Sequence, residues 1–301
     1  MSRFYEALRE ASRRHGPNGN GNGVFREGAP ADNGASSTPP PPADSNPVDP
    51  TESAIRIMKE VEQTLGSAAE ANNEAVPVHA RLDRTARLIP YAADPAILEH
   101  YRRLRTKLLQ EHEVKPFRIL MVASPNPQEG KTVTTLNLAL SFAMLPSCKV
   151  LVIDGDLRKG SLGKWMAVDG RPGLSNLIDG TAGINDIVLK SDDVPMHFVL
   201  RGNSKALAGE LLNSPRLNSD FRRLADQFDL VLVDSPPLNV VTDAQLLADC
   251  CDGVLLVARA FSTTRKALEK AVHDLQPFRI LGAVLNGGSR TGLYQRYNRY
   301  Y

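Results

Sequence analysis

Cysteine is scarce: Cys148, Cys250 and Cys251 are the only three in 301 residues. They form no CxxC pair, which excludes a disulfide scaffold and a zinc cluster and fits a reducing cytoplasm. A charge excess of one sign is also lacking. Lys plus Arg number 36 against 34 Asp plus Glu, a net +2. That excludes a histone-like or ribosomal coat of positive charge, while leaving room for a local basic patch. No apolar run reaches the ~18 residues that a membrane-spanning helix needs. The opening MSRFYEALREASRR has no continuous apolar core, so it does not read as a secretory signal. What is present is an ordinary globular composition, 42% hydrophobic and 23% charged. The length suits two domains, or one large α/β domain with extras.

Composition divides the chain unequally. Phe4, Leu8 and Ala11 recur at i, i+4 and i+7, which predicts a short amphipathic helix within residues 1–15, either a frayed terminus or a docking element. Residues 16–50 hold eight of the 21 prolines and six of the 22 glycines. Such a segment buries too little apolar surface to offset its chain entropy and reads as a disordered linker. Residues 51–84 read as a helix and a connecting segment. An acidic N-cap at Asp49, Pro50 at the first helical position and Glu52 mark the helix start. Ala54, Met58, Val61 and Leu65 follow on one face. From about residue 85 the pattern changes. Asp94-Pro95 opens a helix with Ile97, Tyr101, Leu104 and Leu108 on its apolar side.

Six apolar runs then alternate with helical stretches: Arg118–Ala123, Val150–Asp154, His197–Leu200, Leu230–Asp234, Gly253–Ala258 and Ile280–Asn286. Near-continuous apolar strands separated by helices predict a doubly wound, mainly parallel sheet with helices on both faces, an α/β fold. The first run leads into SPNPQEGKT at residues 124–132 and then a helical stretch. A strand, a tight loop and a helix opening on Gly130, Lys131 and Thr132 form a phosphate cradle. Backbone N–H groups hold the anion, the Lys meets β/γ oxygens and the Thr hydroxyl ligates Mg²⁺. The strict pattern would have Gly at position 125, where this chain has Pro125. Two further strands end in acids, VLVID at Asp154 with Asp156 beyond it, and LVLVD at Asp234. Carboxylates at the C-terminal ends of buried parallel strands lie where open α/β sheets bind ligands. With the Gly-Lys-Thr on the first strand, they predict an Mg-nucleotide site rather than three helix caps.

The trio PxxGKT, VLVIDGDLR and LVLVDSPP resembles the Walker A, A′ and B motifs of the bacterial tyrosine kinase family, which are P-loop NTPases. Glu99, Arg102 and Arg105 match that family's ExxRxxR, and the stretches at 172–177, 209–214, 241–244 and 281–286 are similar to family landmarks. Four of the seven tyrosines, Tyr294, Tyr297, Tyr300 and Tyr301, fall in the last eight residues among arginines. Read without the family, Arg with aromatics would also suit an RNA-binding tail. The family resemblance instead implies a tyrosine cluster autophosphorylated between subunits, with no nucleic-acid partner.

The resemblance implies a P-loop kinase domain over 85–289 and a tyrosine-rich tail over 290–301. It implies ATP and Mg²⁺ as cofactors, with Lys131, Asp154, Asp156 and Asp234 catalytic. Thr132, Asp156 and Asp234 would serve the metal. Pro127, Gln128, Glu129, Gly130, Lys131, Thr132, Val133 and Asn286 would line the nucleotide, with Arg158 and Arg259 as weaker candidates near the phosphates. Glu99, Arg102 and Arg105 would build a homo-oligomeric ring. A membrane-spanning polysaccharide co-polymerase or chain-length regulator would be the activator, and a tyrosine phosphatase would reverse the modification. The implied role is regulation of exopolysaccharide or capsule synthesis and export, at the inner face of the plasma membrane. Two departures stand out. Family members usually have Gly where this chain has Gln128, and often Ser or Thr at Val133; Gln128 crowds the loop if that position needs positive φ. Min/Par-like partition ATPases share the sheet and aspartates, but they carry a further Lys where this chain has Asn126 and lack the tyrosine cluster. A non-catalytic nucleotide-binding scaffold is the remaining alternative.

Overall fold

The computed structural model describes residues 76–78, 88–89, 95–168, 170–191 and 193–288. The expected N-terminal helix, the linker, the 49–65 helix and the tyrosine cluster lie outside the described residues. Eight strands form one sheet: β1 (Val76–Val78), β2 (Ile119–Ala123), β3 (Val150–Asp154), β4 (Val188–Ser191), β5 (Met196–Val199), β6 (Leu230–Asp234), β7 (Gly253–Arg259) and β8 (Ile280–Asn286). Their spatial order is β1-β4-β5-β3-β6-β2-β7-β8. All six expected strands are present, three with the bounds read from the sequence.

The strands from β5 to β8 in this order are mutually parallel. Pleating sends their residues alternately to two faces. Leu120, Val152, Leu232 and Leu255 enter one core, which is covered by α1 (Pro95–Val114) and α2 (Lys131–Ala143). Met121, Ile153, Val233 and Leu256 enter the other. There they meet α4 (Leu174–Asp179), α7 (Leu217–Ala225), α8 (Asp243–Ala248) and α9 (Arg265–Asp274). Three short helices complete the set: α3 (Leu162–Trp165), α5 (Ile184–Ile187) and α6 (Ala208–Leu212). The fold is thus the doubly wound P-loop NTPase sheet.

Two strands escaped the sequence reading. The β4–β5 pair is an antiparallel hairpin, Leu189 opposite Phe198. β1 joins β4 in parallel, Val76 opposite Leu189, so the part of 51–84 read as a connecting segment contributes a strand. Pro77 suits this position, because an edge strand can spare an N–H. Both strands are too short for a periodic signal. Their direction is set by the sheet edge they join.

The winding positions the site. The chain leaves β2, skips one place to β3, and later returns β6 into the gap. The C-terminal ends of β2, β3 and β6 therefore lie side by side, with Asp154 opposite Asp234 in register.

Candidate nucleotide site

The loop after β2 is shaped by its own side chains. Gln128 has φ 62° and Gly130 has φ 90°. The left-handed conformation asked of position 128 is thus real, and a Gln occupies it. Gly130 has a second reason to lack a Cβ, since one built there would lie 1.9 Å from Asn286 Nδ2. Thr134 N–H donates to Gly130 O at 2.9 Å and starts the helical ladder of α2.

Lys131 Nζ donates to Asp234 Oδ1 at 2.5 Å, and Thr132 Oγ1 donates to Asp234 Oδ2 at 2.7 Å. Ser161 Oγ lies 3.0 Å from Thr132 Oγ1 and donates to Asp234 Oδ2 at 3.1 Å. Asp154 is 1% exposed and Asp234 0%. Asp154 Oδ2 accepts from Ser161 N–H at 2.7 Å and Leu162 N–H at 2.9 Å. Burial, and then the charge of Asp234, raise the Asp154 carboxyl to about 7. The two backbone N–H groups and Lys131 pull it the other way. Asp154 is thus ready to hold a proton near neutrality.

Asp154 and Asp156, inseparable in the sequence, now differ. Asp156 is half-buried, and its Oδ1 accepts from Lys159 N–H at 2.9 Å, closing the turn after β3. Asn286 Nδ2 donates to Glu129 O at 2.9 Å, so its amide rests on the phosphate loop backbone. Arg259 Nη1 donates to Gln128 O at 2.8 Å. Arg158 binds Asp243 at the start of α8 through two bonds, 2.6 and 3.1 Å. Pro127 and Gln128 are exposed and Val133 is half-buried, while the Glu129 side chain is buried behind the loop. Sequence reasoning missed Ser161 and Thr263, and met Asp243 only within the stretch 241–244 that resembles a family landmark. Ser161 and Thr263 are polar residues beside helix starts, where capping is the ordinary explanation.

The charged helix is α1. Glu99 pairs with Arg103 at 3.0 Å, a residue outside the ExxRxxR pattern. Arg102 is half-buried, and its carbonyl accepts from Thr106 Oγ1. Arg105 turns into its own chain and donates to Ser141 O on α2. Burial, followed by the neighbouring Arg102 charge, lowers its guanidinium to about 10.

Oxygen donors of this kind suit a hard cation. Among the described residues no three His, Cys, Asp or Glu side chains gather into a protein-only cage. Magnesium at a phosphoryl site needs only one or two carboxylates beside a hydroxyl and the substrate's own phosphates. Thr132 and Asp234, in contact at the strand ends, fit that requirement.

This loop, sheet and acid pair define a nucleotide-binding P-loop protein, and the AAA domain family matches residues 118–278. The relatives are more specific. Tyrosine-protein kinase CpsD of Streptococcus agalactiae serotype III is 31% identical over 191 residues, 62% of this chain and 81% of that protein. The kinase domain of Escherichia coli tyrosine kinase ETK superposes with a TM-score of 0.63 at 32% identity, over 67% of this chain and 79% of that one. The chain belongs to the bacterial tyrosine kinase family. Tyrosine-protein kinase Ptk of Acinetobacter johnsonii is 28% identical over 66% of this chain, but the match spans only 27% of Ptk's own length. No described helix is long and apolar enough to cross a membrane.

Proposed function

We propose that this chain is an ATP-dependent protein-tyrosine autokinase whose substrate is its own C-terminal cluster, Tyr294, Tyr297, Tyr300 and Tyr301, presented between subunits of a ring. The observation that carries the reading is the convergence of Lys131, Thr132 and Asp154 on Asp234 at adjoining strand ends. Mg²⁺, when bound, would be held by Thr132 and Asp234 and would neutralise phosphate charge.

The chain's residues would divide the work as follows. Gly130 and neighbouring N–H groups hold the β-phosphate, and Lys131 leaves Asp234 to meet the charge that develops as the γ-phosphoryl departs. Thr132 and Asp234 are the metal-side donors, with Asp156 reaching the same shell through water. Asp154 orients the tyrosine hydroxyl and takes its proton. A free phenol titrates near ~10, so positioning contributes more than basicity. Asn286 would read the adenine edge beside its bond to Glu129 O.

Glu99, Arg102 and Arg105 are assigned to the subunit interface. Arg105 would act there from its seat on α2, by holding α1 in place. Each phosphorylated tyrosine gains ~1.5–2 negative charges, and their repulsion loosens the ring. We assign the kinase to exopolysaccharide or capsule regulation, activated by a membrane-spanning chain-length regulator and reversed by a tyrosine phosphatase. The motif set and the kinase names of the relatives support this assignment.

Intact mass before and after Mg-ATP tests the proposal. Successive ~80 Da additions are expected for the native chain, each the mass of one phosphoryl group. They should be absent from Lys131→Met and from the variant with all four tail tyrosines changed to Phe. Additions that persist in Lys131→Met refute it. So does a native chain that stays unmodified alone and with a membrane co-polymerase added.

A further inference from the structure

Glu129 is the anomaly of the phosphate loop. A carboxylate placed where an anion binds opposes that anion, yet this one is only 2% exposed, while Pro127 and Gln128 beside it face solvent. Its bonds explain why it is tolerated. Oε2 accepts from Asn126 N–H at 2.9 Å. Oε1 accepts from Asn126 Nδ2 at 3.1 Å and from Thr263 Oγ1 at 2.6 Å. Thr263 Oγ1 in turn accepts from Arg259 N–H at 2.7 Å, which directs its single proton to Glu129. All three groups facing the carboxylate are donors. An acceptor-only side chain satisfies them, whereas an amide would set its own N–H groups against one of them.

Thr263 lies 134 residues away, on the turn joining β7 to α9. The same side of the molecule grips the loop twice more, through Arg259 on Gln128 O and Asn286 on Glu129 O. In a trans peptide the carbonyl and the following N–H point in opposite directions. Drawing the carbonyls of 128 and 129 toward β7 and β8 therefore turns the N–H groups of 129 and 130 away from them, side by side. Successive N–H groups aimed together make an anion-binding nest.

We infer that Glu129, held by Thr263, is a positioning residue. It touches no phosphate, but braces the loop so that its N–H groups are already aimed before nucleotide arrives. The brace also ties the nucleotide site to the β7–α9 turn. This inference rests on the Mg-nucleotide reading of the site.

Fluorescence titration of the full chain with mant-ADP and Mg²⁺ tests it without requiring catalysis. Native protein is compared with Thr263→Val, Thr263→Ser, Glu129→Gln, the Glu129→Gln/Thr263→Val double variant and Lys131→Ala. Hydrogen bonds to charged groups are strong enough that Thr263→Val and Glu129→Gln should each weaken binding about tenfold. Thr263→Ser should restore it to within about twofold, since the hydroxyl is retained. The double variant should be no weaker than its worse parent, because both remove the same brace. Thermal midpoints without nucleotide separate positioning from stability: a merely structural role lowers the midpoint and leaves the affinity of the folded protein unchanged. Native-like affinity in Thr263→Val and Glu129→Gln overturns the brace while leaving the site intact. Binding that is absent from the native chain, or insensitive to Lys131→Ala, overturns the site reading and the brace with it.

Discussion

Lowering the pH should destabilise this protein through one histidine far from the phosphate loop. His197 sits on β5 opposite Lys190 of β4. Its ring lies 5.1 Å from that of Phe228, and its Nδ1 is buried without a partner. Burial, followed by the charges of Lys190 and Lys149, lowers its titration to about 4, with a backbone bond at Val150 acting against them. An unfolded chain binds that proton at ~6.5. The folded value is the depressed one, so the stabilisation is full above ~6.5 and is lost as pH falls toward 4. At pH 4.5 the loss from this group is about 2.5 kcal/mol, from 1.36 kcal/mol per unit over the roughly two units between ~6.5 and 4.5. His112, also lowered by burial, adds a smaller change of the same sign. Asp154 opposes both. Its folded value of about 7 lies above the unfolded one, so its contribution falls as pH rises between 4 and 7. Groups of opposite sign therefore contribute to the native profile, and only a difference isolates His197. Urea unfolding followed by the fluorescence of the single tryptophan, Trp165, should be run for the native chain and His197→Phe from pH 4.5 to 8. The two should agree within about 1 kcal/mol at pH 8, the usual scale of a volume-tolerated swap. At pH 4.5 the variant should be more stable by about 2–3 kcal/mol. A difference constant within about 0.5 kcal/mol across the range refutes the reasoning.

Gln128→Gly should relieve a left-handed strain of about 1 kcal/mol, partly offset by the extra freedom of Gly in the unfolded chain. A thermal midpoint equal to or slightly above native, with nucleotide affinity unchanged or tighter, is the expected outcome of a thermal melt and a mant-ADP titration. Asp252 accepts from the N–H groups of Arg118 and Ile119 at 2.7 and 2.8 Å and from Arg222 Nη1 at 2.8 Å. Asp252→Ala should cost about 2–3 kcal/mol in urea unfolding at pH 7, because it strands donors at the start of β2. These bonds hold its carboxyl below the ordinary range, so this loss should shrink only at strongly acid pH. Gly173→Ala should cost several kcal/mol or block folding, since a Cβ there would meet Leu200 O at 2.2 Å; circular dichroism melts read this directly.

The central strands were legible because they are buried on both faces. Ile119–Ala123 and Leu230–Asp234 admit no polar residue until their ends, and an unbroken apolar run of that length needs no partner to be recognised. The phosphate loop was legible because Gly, Lys and Thr sit consecutively at a strand-to-helix turn. The strain at Gln128 was legible as a condition on φ, which the loop meets. β4 was hidden because Val188–Ser191 gains its identity from pairing with β5 across a short hairpin. Ser161 and Thr263 were hidden because each contacts residues far along the chain, Thr132 at a separation of 29 and Glu129 at 134.

The sequence by itself determined the doubly wound sheet, the phosphate loop, the three acids and the kinase family. The sheet, the loop and the acids depend on local spacing and hydrophobic pattern, which a linear chain carries openly, while the family entered through the resemblance of the motifs. Only the tertiary structure decided how the acids differ. Winding β6 back between β2 and β3 sets Asp234 against Asp154, so the interior that desolvates both also makes them repel. It likewise decided which charges serve the fold, turning Glu129 behind its loop and Arg105 onto α2. Burial and long-range pairing create those roles, and neither exists until the chain has closed on itself.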